Sequence, residues 1–221
     1  GRGCERDLMK AAELGNSKAA LTLGMKMEME GKESECVRYL WMASDLGEME
    51  ATAHLAEIYQ SGKMVDGDDE ESRRLFGIME EGIIFQEAEG IKWGMDQEIK
   101  ALFIGGGEID YEGNVPPWEA YKSSIKSIFI SEGVEVIRGG VFKGLTELER
   151  ISIPSSVTTI TSNPFTDCSK LTQIEVSNDN SGYADVDGVL FNKEKTVLIS
   201  CPQAKSGDYK VPAGVKEIGK G

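Results

Sequence analysis

The sequence predicts an α+β multidomain chain, in which an N-terminal α-solenoid of antiparallel helix pairs precedes a C-terminal β-solenoid that carries an inserted β-hairpin. Three observations lead to this prediction. Residues 5–83 repeat with a 32-residue period, residues 125–176 repeat with a 23-residue period, and the net charge changes from −10 over residues 1–90 to −4 over residues 91–221. Self-similarity at fixed periods of this length is typical of solenoid proteins.

The N-terminal repeat combines helical spacing of apolar residues with regularly placed glycines. Residues 11–15 return as residues 43–47, and a weaker third copy occupies residues 75–82. Small alanines at the facing positions let two helices approach closely, and a glycine accepts the left-handed conformation that often ends a helix. Glycines stand at the expected helix ends, at Gly15, Gly31, Gly47 and Gly62.

This pattern resembles the Sel-one-like repeat, a relative of the tetratricopeptide repeat, over about residues 5–83. Met27 replaces the usual Tyr of the first copy, and Ser44 and Ala56 also depart from the motif. The resemblance implies a helical repeat domain over residues 1–85. The matching residues are Ala11, Ala12, Gly15, Ala19, Leu23, Gly24 and Gly31 in the first copy, and Ala43, Gly47, Ala51, Leu55, Tyr59 and Gly62 in the second.

The C-terminal repeat places aliphatic residues two apart within a turn and 23 apart between turns. Such alternation predicts one short strand per turn with one face in a core. After Val176 the period breaks, and residues 188–199 predict an inserted β-hairpin with its turn at residues 192–195. The period resumes at Val211, Val215 and Ile218. The repeated positions are Ile128, Ile151 and Ile174; Ile130, Ile153 and Val176; Val134 and Val157; Ile137 and Ile160; and Phe142 and Phe165.

Residues 151–160, together with Phe165 and Cys168, resemble the BspA-like class of leucine-rich repeat. The segments 187–191 and 209–212 resemble the inserted hairpin of that class, and residues 102–118 resemble its N-terminal cap. The resemblance implies a leucine-rich-repeat β-solenoid over residues 91–221, with a cap at 91–121, repeats at 122–176, a hairpin insert at 177–208 and a partial repeat at 209–221.

Composition and motifs argue against several functions. A net charge of −14 disfavours nucleic-acid and anionic-lipid partners, and no apolar run approaches the roughly 18 residues of a membrane-spanning helix. With His54 as the single histidine, a hydrolytic triad is not predicted. The acidic run 66–71 lacks the final carboxylate of a calcium loop, since position 77 is glycine, and it is expected at a helix start. We therefore predict no enzyme activity, no cofactor and no metal.

The four cysteines are widely separated in the sequence and form no C-x-x-C pair. They are expected to be buried or unreactive thiols, with one long-range disulfide as the alternative. Leu145 occupies in one turn the position of Cys168 in the next, which predicts a buried apolar role for that thiol. The cysteines are Cys4, Cys36, Cys168 and Cys201.

The leading functional hypothesis is a non-enzymatic scaffold or adhesion module that binds another protein. The alternative is a carbohydrate-binding or cell-wall-binding module of a larger exported protein. Both resemblances imply a bacterial protein, and the second implies export to the cell surface, with a cytoplasmic location as the alternative.

The strand alternation also predicts which residues meet a partner. If Ile128 and Ile130 face the core, Phe129 points to the opposite face. An exposed Phe129 would anchor an interface, whereas in the alternative it packs against the cap around Trp118 and Tyr121 or against the helical half. The candidate partner-binding face consists of Ser127, Phe129, Arg150, Ser152, Gln173 and Glu175.

Overall fold

The structure, a computed structural model, describes residues 2–62, 64, 69–80, 83–111 and 114–219. The chain divides into two compact units, Gly1–Gly82 and Ile83–Gly221. The first unit is helical and the second is built from strands, as the two periods predict. Residues 65–68, which hold the first half of the acidic run 66–71, lie outside the described part of the chain.

The helical unit consists of antiparallel pairs whose starts follow the 32-residue period, since α2 begins at Ser17 and α4 at Met49. Close packing depends on small residues: a Cβ on Gly24 would lie 2.8 Å from Leu40 Cδ2. The predicted glycines all have positive φ, between 65° and 90°. The predicted helix pairs are therefore confirmed. The helices are α1 (Arg2–Glu13), α2 (Ser17–Met29), α3 (Glu33–Asp45), α4 (Met49–Ser61) and α5 (Asp69–Glu80).

The second unit forms a β-solenoid with three sheets. A six-stranded sheet has the order β1-β2-β3-β5-β7-β9, a three-stranded sheet has the order β4-β6-β8, and the inserted segment forms a sheet of order β10-β11-β12-β13. The strands are β1 (Gln86–Ala88), β2 (Ile91–Asp96), β3 (Ala101–Gly105), β4 (Glu108–Ile109), β5 (Ser127–Ile130), β6 (Val136–Ile137), β7 (Arg150–Ile153), β8 (Thr159–Ile160), β9 (Gln173–Val176), β10 (Tyr183–Val186), β11 (Val189–Asn192), β12 (Val197–Ser200) and β13 (Glu217–Ile218).

The 23-residue period equals the sequence separation of residues that pair on neighbouring parallel strands. Ile128 pairs with Ile151, which pairs in turn with Ile174, and all three side chains lie in one buried cluster. Phe142 and Phe165 stack with their ring centroids 5.9 Å apart and an interplanar angle of 7°. The repeated apolar positions therefore form continuous columns through the core.

Three details of the β-solenoid differ from the prediction. Each turn contributes two strands rather than one, because Ile137 and Ile160 pair in the second sheet. The predicted hairpin of β11 and β12 is present, but β10 adds a third strand through the turn at Asp187 and Gly188. The cap begins before residue 91, since β1 pairs antiparallel with β2. Strands of two to four residues are too short to give a periodic signal of their own.

Two of the three described cysteines, Cys36 and Cys168, are buried as the sequence predicts, whereas Cys201 is exposed. Cys36, Cys168 and Cys201 are free thiols, and Cys168 lies in the core. Burial raises the pKa of both Cys36 and Cys168 to about 11. The side chain of Cys4 lies outside the described part of the chain.

We expect iodoacetamide at pH 8 to alkylate Cys201, which is exposed, while Cys36 and Cys168 react only after denaturation. The physical reason is that the thiolate is the reactive form, and at this pH both buried thiols stay protonated and shielded. Mass spectrometry of tryptic peptides measures the outcome. Labelling of Cys168 in the native protein as fast as Cys201 would contradict its place in the core.

We also expect limited proteolysis to cut first between residues 83 and 98, where the period and the charge change. Ile84 in this stretch is 87% exposed and lies next to the boundary of the two units, and proteases prefer accessible chain at such positions. N-terminal sequencing of the first fragments measures the site. A first cut inside residues 120–176 would rule out this boundary.

Candidate interaction face

The six candidate residues lie in two parallel rows on the six-stranded sheet. One row contains Ser127, Arg150 and Gln173, which are register partners on β5, β7 and β9. The other contains Phe129, Ser152 and Glu175, which pair in the same way. The sheet therefore brings together all six residues that the 23-residue period selects. We call these six residues the outer rows.

The outer rows face away from the core of the β-solenoid. Ile128, Ile130, Ile151 and Ile153 belong to the main buried cluster, whereas none of the six candidates does. Successive side chains of a strand point to opposite faces, so this division follows from the pleat. The predicted orientation of Phe129 relative to its neighbours is correct.

Of the two alternatives for Phe129, the structure contradicts the exposed anchor and supports packing against the cap. Its side chain is only 2% exposed, and its ring stacks on Phe103, with centroids 5.1 Å apart and planes inclined by 23°. Phe103 lies opposite Phe129 on β3. The sequence did not predict this pair, because the separation of Phe103 and Phe129 along the chain differs from the 23-residue period. The aromatic partner is thus in the cap, although it is neither Trp118 nor Tyr121.

The sheet's outer face is partly covered at β2 by its own chain. Gly94 pairs with Phe103, and a Cβ on Gly94 would lie 2.4 Å from Ile83 Cγ2 and 3.3 Å from the ring of Phe85. Lys92 lies with its ammonium 4.2 Å from the centre of the Phe85 ring. The absence of a side chain at Gly94 therefore lets residues 83–85 lie against the sheet. The accessible part of the face lies towards β9.

At β9 the outer rows become polar and accessible. Gln173 is exposed, and its Nε2 donates to Glu175 Oε1 at 2.5 Å. Glu175, Arg150 and Ser127 are half-buried, whereas Ser152 is only 1% exposed. The inserted hairpin borders this part of the face, since Ile174 N donates to Gly188 O at 3.0 Å. A partner would therefore meet Gln173, the one exposed residue of the six, before any other candidate residue.

His54 lies in the helical unit between two carboxylates. Its Nε2 is 2.8 Å from Glu28 Oε2, and its Nδ1 is 3.4 Å from Glu57 Oε2. His54 is 7% exposed, and each ring nitrogen has a carboxylate partner. This environment is typical of a histidine with a structural role in a helix. Within the described residues no group of three or more His, Cys, Asp or Glu side chains could hold a metal ion.

The described helices also bear on membrane insertion. Across residues 2–62, 64, 69–80, 83–111 and 114–219, no helix is both long and apolar enough to cross a bilayer.

Among solved structures, the chain is similar to a leucine-rich repeat protein from Eubacterium ventriosum ATCC 27560, with 21% identity, a TM-score of 0.32, and coverage of 62% of this chain and 56% of that one. It is also similar to the pneumococcal vaccine antigen PcpA, with 19% identity, a TM-score of 0.30, and coverage of 62% and 60%. A leucine rich cell surface protein from Faecalibacterium prausnitzii A2-165 matches with 14% identity, a TM-score of 0.26, and coverage of 60% and 65%. The chain spans less than two thirds of each of these structures.

No curated protein matches the chain. Residues 119–202 match the family model described as BspA type leucine rich repeat region, with 6 copies. This segment runs from the short 3₁₀ helix Glu119–Tyr121 through the parallel turns to the end of β12. Residues 119–202 are therefore a BspA-type leucine-rich repeat region.

Proposed function

We propose that the chain is a non-enzymatic module that binds another protein through the outer rows of its β-solenoid, as a scaffold or in adhesion. One observation carries the proposal: the inward positions of successive strands repeat as isoleucine or valine, while the outward positions change at every turn. Ser127 becomes Arg150 and then Gln173 at one register position. Packing constrains the inward residues, whereas the identity of an exposed outward residue such as Gln173 can vary without disturbing the core.

The accessible residues of this face suit a protein partner. Arg150, Gln173 and Glu175 supply a cation, an amide and a carboxylate along neighbouring strands, which together can match a mixed polar surface. The net charge of −14 repels phosphate backbones and so disfavours nucleic acid. Phe129 and Ser152 are too deeply buried to meet a partner directly, so we place recognition on Gln173 and its accessible neighbours.

We further infer that the helical unit is a Sel-one-like repeat domain that contributes a second binding surface. The support is the 32-residue offset between α2 and α4 and the alanines buried between helices, which include Ala20, Ala43 and Ala51. The resemblance of the second unit to BspA-like proteins supports export to a bacterial surface.

Screening the labelled chain against a protein array and a glycan array tests the proposal, because the two arrays separate the two functional classes. We expect saturable binding to proteins. For any protein found, Gln173→Arg should weaken binding by about tenfold, since it places bulk and charge at the most accessible outer-row position. Thr146→Arg is the matched control, because Thr146 is also exposed but lies in a turn outside the strands.

Binding confined to glycans would replace the proposal with the carbohydrate-binding alternative. Protein binding that Gln173→Arg and Thr146→Arg affect equally would remove the outer rows as the site. In either case the unfolding midpoints of both variants must equal that of the parent chain, so that lost binding is not lost folding.

A further inference from the structure

Helix α3 carries large apolar side chains on two of its faces. The face that packs into the helical unit holds the buried residues Cys36, Tyr39, Leu40 and Ala43. The opposite face carries half-buried and exposed side chains at spacings of i, i+3, i+4, i+7 and i+8, which place them along one side of the helix. We call these residues the α3 stripe: Arg38, Trp41, Met42, Asp45 and Leu46. A helix needs one apolar face for its own core, so a second one requires another explanation.

The exposure of the α3 stripe does not depend on where the chain begins or ends. Helix α3 packs against both α2 and α4. In a solenoid each repeat contacts only its neighbours, and α3 already has a neighbour on each side. With both neighbours in place, Leu46 stays 44% exposed, whereas Leu40 of the same helix is fully buried. The α3 stripe is therefore a surface of the helical unit and not an unfinished part of its core.

The centre of the α3 stripe is a tryptophan that two other helices hold in place. The indole Nε1 of Trp41 donates to the Tyr59 hydroxyl on α4 at 3.2 Å, and the two rings meet edge-on with centroids 6.3 Å apart. The guanidinium carbon of Arg74 on α5 lies 5.2 Å from the centre of the Trp41 ring, and Arg74 is itself paired with Glu71. A tryptophan fixed in this way loses little conformational entropy on binding, and tryptophan is among the residues that dominate protein interfaces.

The charges of the α3 stripe have opposite signs at its two ends. Arg38 and Asp45 are both exposed and are seven residues apart, which is about 10 Å along a helix. Trp41 and Met42 lie midway between them. When an identical helix lies antiparallel on this stripe, Arg38 lies opposite Asp45 of the second copy, and Trp41 lies opposite Met42 of the second copy. The two-fold symmetry forms each of these pairs twice, so the stripe is complementary to itself.

We propose that the α3 stripe binds the α3 stripe of a second copy of the chain in an antiparallel, two-fold arrangement. Opposite charges then meet at both ends of the contact, and the thioether of Met42 packs on the Trp41 ring at its centre. An isologous contact of this kind closes as a dimer. It lies on the helical unit and does not depend on the partner proposed for the outer rows.

Helix α1 repeats the same order of charges one helix pair earlier. Arg6 and Glu13 precede Arg38 and Asp45 by 32 residues, and both are exposed. A two-fold axis that crosses α1 and α3 at right angles pairs Arg6 with Glu13 of the second copy, as it pairs Arg38 with Asp45. The helical repeat therefore doubles the number of complementary charge contacts.

Sedimentation equilibrium of two charge variants, each alone and then mixed, tests the proposal. The parent chain should show a monomer–dimer equilibrium. Arg38→Glu and Asp45→Arg should each associate about tenfold more weakly, because like charges then meet at both ends of the contact. An equimolar mixture of the two variants should form a heterodimer about as strong as the parent dimer, because opposite charges meet again. Glu98→Arg is the matched control, since it makes the same change of charge at an exposed turn residue of the other unit.

Met42→Glu tests the apolar centre and should also weaken association by about tenfold or more, because it places a carboxylate against the Trp41 ring. Far-UV circular dichroism must show each variant as helical as the parent chain. A chain that stays monomeric at every concentration would overturn the proposal, and so would a dimer that the three stripe variants leave unchanged. Weakened variants whose mixture does not associate would contradict the antiparallel pairing. A monomer that binds a protein from the array, and loses this binding in Met42→Glu, would assign the stripe to a different partner and also overturn the second copy.

Discussion

Phe142→Ala is expected to lower the free energy of unfolding of the β-solenoid by about 3 to 5 kcal/mol, because it leaves a large cavity in a column of stacked rings. Phe142 is fully buried, with Trp118 on one side and Phe165 on the other, each with its centroid 5.9 Å away. The neighbouring rings are held by their own turns and cannot collapse into the space. Urea denaturation, followed by the fluorescence of the tryptophans, measures the change.

Phe165→Ala is expected to cost a similar amount, because it occupies the same column one turn later. The exposed Val115→Ala serves as the control and should change the unfolding free energy by no more than about 0.5 kcal/mol. An unchanged urea midpoint for either phenylalanine variant would contradict the 23-residue register.

Asn180→Ala is expected to destabilise the β-solenoid by about 3 to 5 kcal/mol, because it leaves several buried backbone groups without partners. The Asn180 side chain is fully buried, and its Nδ2 donates to Pro154 O at 2.7 Å and to Val157 O at 2.9 Å. Its Oδ1 accepts from the amides of Gly182 and Tyr183. One amide thus ties the preceding turn to the start of the inserted hairpin.

Asn178→Ala provides the matched control two residues away, since Asn178 is exposed and should tolerate the change within about 0.5 kcal/mol. Thermal unfolding of both variants, with the parent chain beside them, gives the comparison. Equal losses from Asn178→Ala and Asn180→Ala would mean that the Asn180 side chain does not hold the insert in place.

The fold could be predicted from the sequence in those regions where the same packing position recurs in successive repeats. Ile128, Ile151 and Ile174 are chemically identical and evenly spaced because each fills the same position in successive turns. The glycines with positive φ in the helical unit could also be predicted, because Gly15 and Gly47 end equivalent helices of successive pairs in the left-handed conformation. Because these requirements for core packing and helix termination recur at a fixed spacing, they can be detected in a single sequence.

The candidate face was predicted less completely, because burial on an outer face depends on neighbours outside the repeat. Phe129 obeys the strand alternation, but its stacking partner Phe103 lies in the cap, where the 23-residue period does not hold. Gly94 has its role only because residues 83–85 fold back over β2. Asn180 also gave no signal, since nothing in its sequence context marks a side chain that binds four backbone groups.

Under the proposed function, inward side chains stabilise the solenoid and outward side chains recognise a protein partner. Two adjacent residues of β9 separate these two roles. Ile174 is fully buried and Gln173 is exposed. The measurement is the urea midpoint of Ile174→Ala and Gln173→Arg, together with the affinity of each folded variant for a protein found on the array. We predict that Ile174→Ala loses about 2 to 5 kcal/mol of stability with its affinity unchanged, and that Gln173→Arg keeps its midpoint and binds about tenfold more weakly. Equal destabilisation by both changes, or unaltered affinity for Gln173→Arg, would contradict it.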